Sequence, residues 1–308
     1  MPGKDDTQSP SPLRDGLLVI DKPRGPSSHQ VTAWAGEILG VRVGHAGTLD
    51  PGVSGILTVM IGKAVRLAPL LLSEEKEYVC LFRIHGDPVA GRVEAALAEF
   101  TGRIYQRPPR KSAVARNLRI RIVHEIELLD DDGRLLLIKV RCDAGTYIRS
   151  LCHHIGLALG TGAHMVELRR TRSGQFDETQ SCTLQELTDA ADAARLGNPD
   201  ILKSLIQSPD KALESLPKVV LRDTAVDAVC HGAVLARPGL SSYDEFGKGV
   251  TVVLTTSRGE LVALGRTLVS SKEAGPIKNG FIISPSTVFM EPGTYVRGWK
   301  KAGCSGSS

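Results

Sequence analysis

One carboxylate in this chain sits where it could do chemistry. Asp50 lies within Gly44-His45-Ala46-Gly47-Thr48-Leu49-Asp50-Pro51-Gly52-Val53-Ser54-Gly55, a stretch with four glycines. Glycine allows positive φ and close approach of other chains. Pro51 fixes its own φ and pushes Asp50 out of the helical region. The run Ile56-Leu57-Thr58-Val59-Met60-Ile61 follows and reads as a buried strand or a helix start. Asp50 is then a lone acid on a rigid loop at the edge of a core element. Asp-Pro-Gly is also ordinary turn chemistry, and on this stretch alone a plain surface turn is the favoured reading; the rest of the chain shifts the weight.

The elements around this loop follow from pattern. Gly16 to Ile20 is an apolar run predicted as a buried strand, ended by Pro23, Gly25 and Pro26. Ser27 or Ser28 can then cap a helix whose Val31, Trp34, Ile38 and Leu39 share one face. Lys22 falls between strand end and helix start, a common place for phosphate contacts and equally for an ordinary surface lysine. Lys63–Leu72 reads as a helix and Lys76–Ile84 alternates as a strand, with Tyr78 near its start. Gly91–Phe100 reads as a short helix, Leu135–Cys142 as a strand, and Tyr147 opens a helix through Leu159. In the next predicted strand, Glu167 and Arg169 share one face while Leu168 and Arg170 share the other. One arginine of the pair can therefore reach a buried site.

Charge is distributed unevenly. Between Arg103 and Arg121 lie seven basic residues (Arg103, Arg107, Arg110, Lys111, Arg116, Arg119, Arg121) and no acid, with Pro108-Pro109 breaking regular structure. A basic, irregular loop suits a phosphate backbone, whereas a solvated strand face usually alternates acids with bases.

Composition bounds the class. The 308 residues suffice for two domains, and 42% hydrophobic with 23% charged content marks a globular chain. A net charge of +4 does not by itself imply a polyanion partner, and 4% aromatics argues against a sheet that stacks many bases. The six cysteines form no CxxC pair or regular framework and read as reduced thiols, neither disulfides nor zinc ligands. Residues 1–12 read as a polar tail rather than a signal peptide, and 301–308 as a short flexible tail. No stretch has the length of a membrane span. These features predict a cytoplasmic protein.

Residues 175–215 read as helix, then linker. From Leu216-Pro217 a second unit begins, with short strands at Lys218–Leu221, Gly249–Thr255, Leu261–Thr267, Gly280–Ile283 and Thr287–Met290 between turn signals. Such spacing predicts a small β-barrel.

The ordered motifs Asp21-Lys22-Pro23-Arg24-Gly25, Gly44–Gly55, Lys76-Glu77-Tyr78, Arg107-Pro108-Pro109, Gly145-Thr146-Tyr147-Ile148-Arg149 and Leu168–Gly174 resemble those of TruB-type pseudouridine synthases. Ala225–Ala233 and Pro238-Gly239 resemble the start of a PUA domain. Lys76-Glu77-Tyr78-Val79, the His153-His154 pair and Arg169–Gly174 resemble the archaeal, dyskerin-like branch that works with box H/ACA guide RNA. The resemblance implies an α+β fold: a mixed or antiparallel-sheet catalytic domain over 13–215, then a small β-barrel PUA domain over 216–300. It implies isomerisation of uridine to pseudouridine in rRNA, with tRNA as a second target, and no cofactor or metal.

The resemblance also implies roles. Asp50 supplies the carboxylate, adding covalently or removing a sugar proton. Arg169, or less favourably Arg170, pairs with it. Tyr78 stacks on a flipped uracil and moves a proton. Tyr147, Ile148 and Arg149 wall the pocket, His45 helps displace the base, and Lys22 contacts RNA or braces the loop. Arg110, Lys111, Arg116 and Arg119 are expected on the RNA backbone, and His231, Gly232, Ala233 and Arg237 on the guide. Expected partners are box H/ACA guide RNA, substrate rRNA or tRNA, and the small H/ACA ribonucleoprotein proteins. A stand-alone enzyme of the tRNA T arm is the alternative. A non-catalytic RNA scaffold would have lost Asp50, Tyr78 or the arginine, and a hydrolase would need a second carboxylate or a metal set.

Overall fold

Residues 15–89, 91–108, 115 and 117–296 are described by the computed structural model, and the chain divides into two units between Pro209 and Asp210. The first unit is built, in order, from β1 (Asp15–Lys22), α1 (Ser28–Leu39), β2 (Val43–Ala46), β3 (Ser54–Gly62), α2 (Ala68–Ser73), β4 (Lys76–Ile84), α3 (Arg92–Glu99), β5 (Gly102–Gln106), β6 (Arg119–Asp132), β7 (Leu135–Cys142), α4 (Ile148–Ala158), β8 (Ala163–Ser173), β9 (Phe176–Asp177), β10 (Ser181–Cys182), α5 (Leu184–Arg195) and α6 (Asp200–Leu205). Its strands form one sheet in the order β10-β1-β3-β8-β4-β7-β6-β5, with β2 added on β3 and β9 on β8. The pairs β1–β10 and β3–β8 are parallel and the remaining pairs antiparallel, which makes the sheet mixed.

Sequence pattern explains each part. In β7 every second residue (Leu136, Ile138, Val140, Cys142) is buried, as expected of a strand with one face on a core. In β1 and β3 the apolar runs are continuous and almost wholly buried, the mark of strands covered on both faces. Helix α1 starts in a capping box, Ser27 with Gln30, and ends at Gly40 with φ +65°. It packs Val31, Ala35 and Leu39 with α5 residues Leu187 and Ala190 over Leu18, Ile20, Leu57 and Val59. A second core, under α3 and α4, takes in Leu49 and Val53 from the Asp50 loop.

Ile56–Ile61 is strand, the first of its two readings. One expectation changes here: the basic Arg103–Arg121 stretch is not wholly irregular. Residues 103–106 lie in β5, the edge of the sheet, and Arg119 and Arg121 lie in β6. Pro108 follows β5 rather than interrupting it, and cross-strand pairing of Tyr105 with Ile120 fixes the register.

The second unit carries β11 (Lys218–Leu221), α7 (Asp223–Cys230), β12 (Leu235–Ala236), β13 (Leu240–Tyr243), β14 (Thr251–Thr255), β15 (Leu261–Thr267), α8 (Ser271–Ala274) and β16 (Phe281–Val288). The strands form a six-stranded sheet, β12-β16-β15-β14-β11-β13, around a core of its own. The two expected strands at 280–283 and 287–290 are one strand, β16. Its pairing with β15 shifts register between Leu264 and Gly265, so it bends without breaking. No described helix is long and apolar enough to cross a membrane.

Candidate active site

Asp50 sits on the loop from β2 to β3, and the loop is tied down on every side. Its preceding residue, Leu49, is buried and bonded at both backbone groups to one hydroxyl. Ser28 Oγ accepts from Leu49 N–H at 2.7 Å and donates to Leu49 carbonyl at 2.9 Å. Val53 N–H donates to the Asp50 carbonyl at 3.0 Å, closing a turn across Pro51-Gly52. Gly25 N–H donates to the Pro51 carbonyl at 2.8 Å.

Lys22 is fully buried below this turn. Its Nζ donates to the carbonyls of Pro23 and Pro26, each at 2.8 Å, and reaches that of Pro51 at 3.5 Å. Of the two roles expected for Lys22, bracing the loop is therefore the one its position allows. Burial, and then the charge of Arg170, push its pKa down.

Arg170 is the second buried brace. Its Nε donates to the Ile56 carbonyl at 2.8 Å and its Nη2 to that of Gly47 at 2.9 Å, so it joins both ends of the loop to β8. Tyr78 faces it across the β4–β8 pairing, and burial pushes the phenol's pKa up. Lys76, two residues before Tyr78, is also buried and donates to the carbonyls of Leu71 at 3.0 Å and Glu74 at 2.8 Å. Burial, then Arg170, push its pKa down to about 8. Glu74 has one carboxylate oxygen buried without a hydrogen bond, and burial pushes its pKa up to about 7.

The arginine that meets the Asp50 carboxylate is Arg149, with Nη2 to Oδ2 at 3.0 Å and both side chains about three-fifths exposed, 59% and 60%. The expected pairing with Arg169 is not found. Arg169 places Nη1 and Nη2 on the two oxygens of Asp21, each at 3.0 Å, and Nε on Glu178. Strand facing explains the difference. Leu168 and Arg170 share the buried face of β8, and Arg169 points the other way. The less favoured arginine is the buried one, and it holds carbonyls rather than Asp50.

The other expected residues divide. Tyr147 is locked by a reciprocal pair: Gln106 Nε2 donates to its carbonyl at 3.1 Å, and its N–H donates to Gln106 Oε1 at 2.9 Å. Arg149, two residues on, is carried by the first turn of α4. Ile148 belongs to the core and is 3% exposed, so it is no open pocket wall. His45 is half-buried on β2, with Nδ1 buried and unpartnered. Burial, then the charges of His29 and Arg170, lower its pKa. Arg110, Lys111 and Arg116 lie outside the described residues, and Arg119 reaches the Ala115 carbonyl at 3.5 Å. In the second unit, His231, Gly232 and Ala233 are exposed just after α7. Arg237 is occupied within the fold, donating to the Ala274 carbonyl at 3.1 Å and lying over the Tyr243 ring.

Sequence reasoning gave no site role to Ser28, which holds the backbone of Leu49, to Gln106, which holds that of Tyr147, or to Lys76, which holds the carbonyls of Leu71 and Glu74; contacts to backbone groups carry no local signature. It also passed over Arg24, whose pairing with Glu167 at 3.4 Å places another exposed arginine on the loop that Gly25 straps to Pro51. Among the described residues no group of three or more His, Cys, Asp or Glu is placed to share a metal ion. The site thus presents one surface carboxylate, set by a loop that buried Lys22 and Arg170 hold from below and faced by an exposed arginine.

Comparison with known proteins places this arrangement. Residues 37–148 match the N-terminal domain of TruB family pseudouridylate synthases, 149–214 the C-terminal domain of tRNA pseudouridylate synthase B, and 217–289 the PUA domain. Curated proteins named probable tRNA pseudouridine synthase B are 47% identical, from Methanocaldococcus jannaschii over 94% of this chain and 87% of that protein, and from Archaeoglobus fulgidus over 94% and 90%. Among solved structures, a chain of a Cbf5-Nop10-Gar1 complex superposes with a TM-score of 0.83 at 46% identity, covering 91% of this chain and 86% of that one. A chain of an H/ACA RNP bound to a substrate RNA containing 2′-deoxyuridine gives 0.81 at 44%, covering 94% and 89%. The motifs around Asp50, the two-unit fold and these matches along nearly the whole chain agree, and the protein belongs to the TruB family of pseudouridine synthases.

Proposed function

We propose that this pseudouridine synthase is the catalytic subunit of a particle guided by box H/ACA RNA, acting on rRNA and in second place on tRNA. The observation that carries this reading is the likeness, across nine-tenths of the chain, to a protein solved in a Cbf5-Nop10-Gar1 complex and in an H/ACA RNP. Small proteins of the same kind are its expected partners, and the PUA-like unit is its guide-RNA reader through His231, Gly232 and Ala233.

In this reading the target uridine leaves its helix and enters beside Asp50. The bond from ribose C1′ to uracil N1 breaks and one from C1′ to C5 forms. The C5 proton leaves and N1 gains one, so no redox or energy input is needed. Asp50 acts as nucleophile at C1′ or as base on the sugar. Tyr78, its phenol kept neutral by burial, stacks on the uracil and passes the late proton. Lys22 and Arg170 fix the loop so that the carboxylate needs no rearrangement to be aimed. Arg149 supplies the charge beside Asp50.

The names of the curated relatives favour a second reading, a stand-alone tRNA enzyme. The test compares binding of guide RNAs with intact or scrambled 3′ ACA, and pseudouridine formation in rRNA with guide against tRNA without it. The guided reading expects ACA-dependent binding and guide-dependent turnover. Indifference to ACA with efficient tRNA turnover hands the assignment to the stand-alone enzyme.

A further inference from the structure

We propose that His124 is a positioning residue for this site. From a bulge in β6 it ties the turn that launches Arg149 to the start of the strand that carries Tyr78, and so sets the spacing of those two groups about Asp50. The inference rests on the reading above, in which Tyr78 and Arg149 work beside the Asp50 carboxylate.

The bulge comes first. Val123, Ile126 and Leu128 all pack on the core under α3 and α4. Their spacing, three residues and then two, is out of phase for an unbroken strand, where every second side chain shares a face. The pairing shows where the phase is lost: Val123 lies opposite Cys142 and Glu125 opposite Arg141, so His124 is the extra residue. A bulge re-aims a side chain while the strand continues. Here the ring of the extra residue meets two carboxylates, with Nε2 3.0 Å from Asp143 Oδ1 and 3.2 Å from Glu75 Oε1.

Those carboxylates belong to the two segments that deliver the site. Asp143 is seated on β6, its Oδ2 accepting from Ile122 N–H at 2.9 Å. It opens a turn closed by Thr146, whose N–H and hydroxyl both donate to the Asp143 carbonyl, at 3.2 and 2.8 Å. Tyr147, the N-cap of α4, follows at once, and Arg149 is two residues further. Glu75 stands directly before buried Lys76, at the foot of the strand that carries Tyr78. Its carbonyl accepts from Gly174 N–H at 2.9 Å and its Oε2 from Arg141 Nη1 at 3.1 Å. One imidazole nitrogen between Asp143 and Glu75 is therefore a cross-brace between the α4 side and the β4 side of the pocket. The His124 side chain is 23% exposed, whereas Lys139 and Glu127, paired further along the same two strands, are 35% and 47%. A polar contact better shielded from water is the stronger one.

The experiment measures steady-state pseudouridine formation by the full chain, on guided rRNA or on tRNA, whichever wild type turns over, well below the melting temperature of every variant. His124→Ala should lower kcat by about 10- to 100-fold, the cost of a misplacement of up to about 1 Å, while KM for RNA stays near wild type. His124→Gln, whose amide nitrogen can donate to both carboxylates, should recover most of that loss. Glu75→Ala cuts the same brace from a half-exposed position, so it serves if His124→Ala is too unstable, and it should show the same split between kcat and KM. Glu127→Ala removes the neighbouring ion pair and should leave both constants unchanged. A lowered Tm with unchanged kcat in His124→Ala would show a brace that serves the fold alone, and would refute the proposal. An equal fall of kcat in Glu127→Ala, or a glutamine variant no better than alanine, would refute it too. Turnover that survives Asp50→Asn would instead overturn the reading of the site, and this proposal with it.

Discussion

Gly55 lies opposite Arg170 in the parallel pairing of β3 with β8, and no side chain fits between them. A Cβ on Gly55 would stand 2.1 Å from the Arg170 carbonyl oxygen and 2.6 Å from its nitrogen, with φ at +103°. The backbone that carries the buried arginine is thus pressed against the strand that leaves the Asp50 loop. Gly55→Ala should cost more than about 3 kcal/mol, through strained φ and displaced backbone together. Gly52→Ala, two residues past Asp50 with open space around it, should shift stability by less than about 0.5 kcal/mol. Thermal melts of the two variants check the contrast.

The adjacent arginines should fail differently. Arg170→Ala leaves the buried carbonyl of Ile56 and the part-buried one of Gly47 without their donor, and an orphaned buried acceptor costs about 1–3 kcal/mol. The Asp50 loop loosens with it, so turnover should fall with stability. Arg170→Lys keeps the charge but not the fork, and should recover little activity. Arg169→Ala removes a partly exposed clamp on Asp21 and Glu178. Its cost should be smaller, and RNA affinity should hold. Equal losses of turnover and stability in the two alanine variants would contradict this division.

Ser28 offers a finer probe. One hydroxyl serves both backbone groups of Leu49, the residue before the carboxylate. Ser28→Ala strands a buried N–H and a buried C=O, a loss of about 1–3 kcal/mol. Because the strain falls beside Asp50, kcat should drop while KM for RNA stays near wild type. A KM effect with unchanged kcat would place Ser28 in RNA contact instead.

How much of this was legible in the sequence depends on the range of the interaction. Strands β4 and β7 were readable to the residue, since Lys76–Ile84 and Leu135–Cys142 carry their own pattern of burial. The Asp50 loop was readable because glycine and proline constrain the backbone locally. The Arg149–Asp50 pair joins residues 99 apart, and nothing near either one announces it. Choosing between Arg169 and Arg170 needed a face assignment as well as a period. Alternation said they point oppositely, but only Leu168, apolar and on the face of Arg170, says which face is inside. The burial of Lys22 and Lys76 escaped for a related reason, although the family resemblance offered Lys22 as a brace for the loop. A lysine whose ammonium is satisfied by backbone carbonyls looks, in sequence, like a surface lysine.

Glu74 gives a prediction in pH. Burial raises its pKa from 4.5 to about 7, and one of its oxygens has no hydrogen bond, packed where a Cβ on Gly174 would collide with it. Between those two values the folded chain keeps a proton that the unfolded chain has lost. Stability from this group is therefore full below about pH 4.5 and falls as pH rises through about 7. Lys76 has the opposite sense. Its pKa falls from 10.5 to about 8, so the unfolded chain holds the extra proton above about pH 8, and stability from Lys76 rises as pH climbs toward 10.5. The pair leaves a trough near pH 7 to 8. Glu74→Gln removes the first limb, since the amide cannot ionise. Urea midpoints of wild type and Glu74→Gln should coincide near pH 4.5 and separate by pH 7.5, with the variant the more stable. A difference that stays constant from pH 4.5 to 7.5 would show that shape and lost contacts, not the buried charge, set the cost at this position.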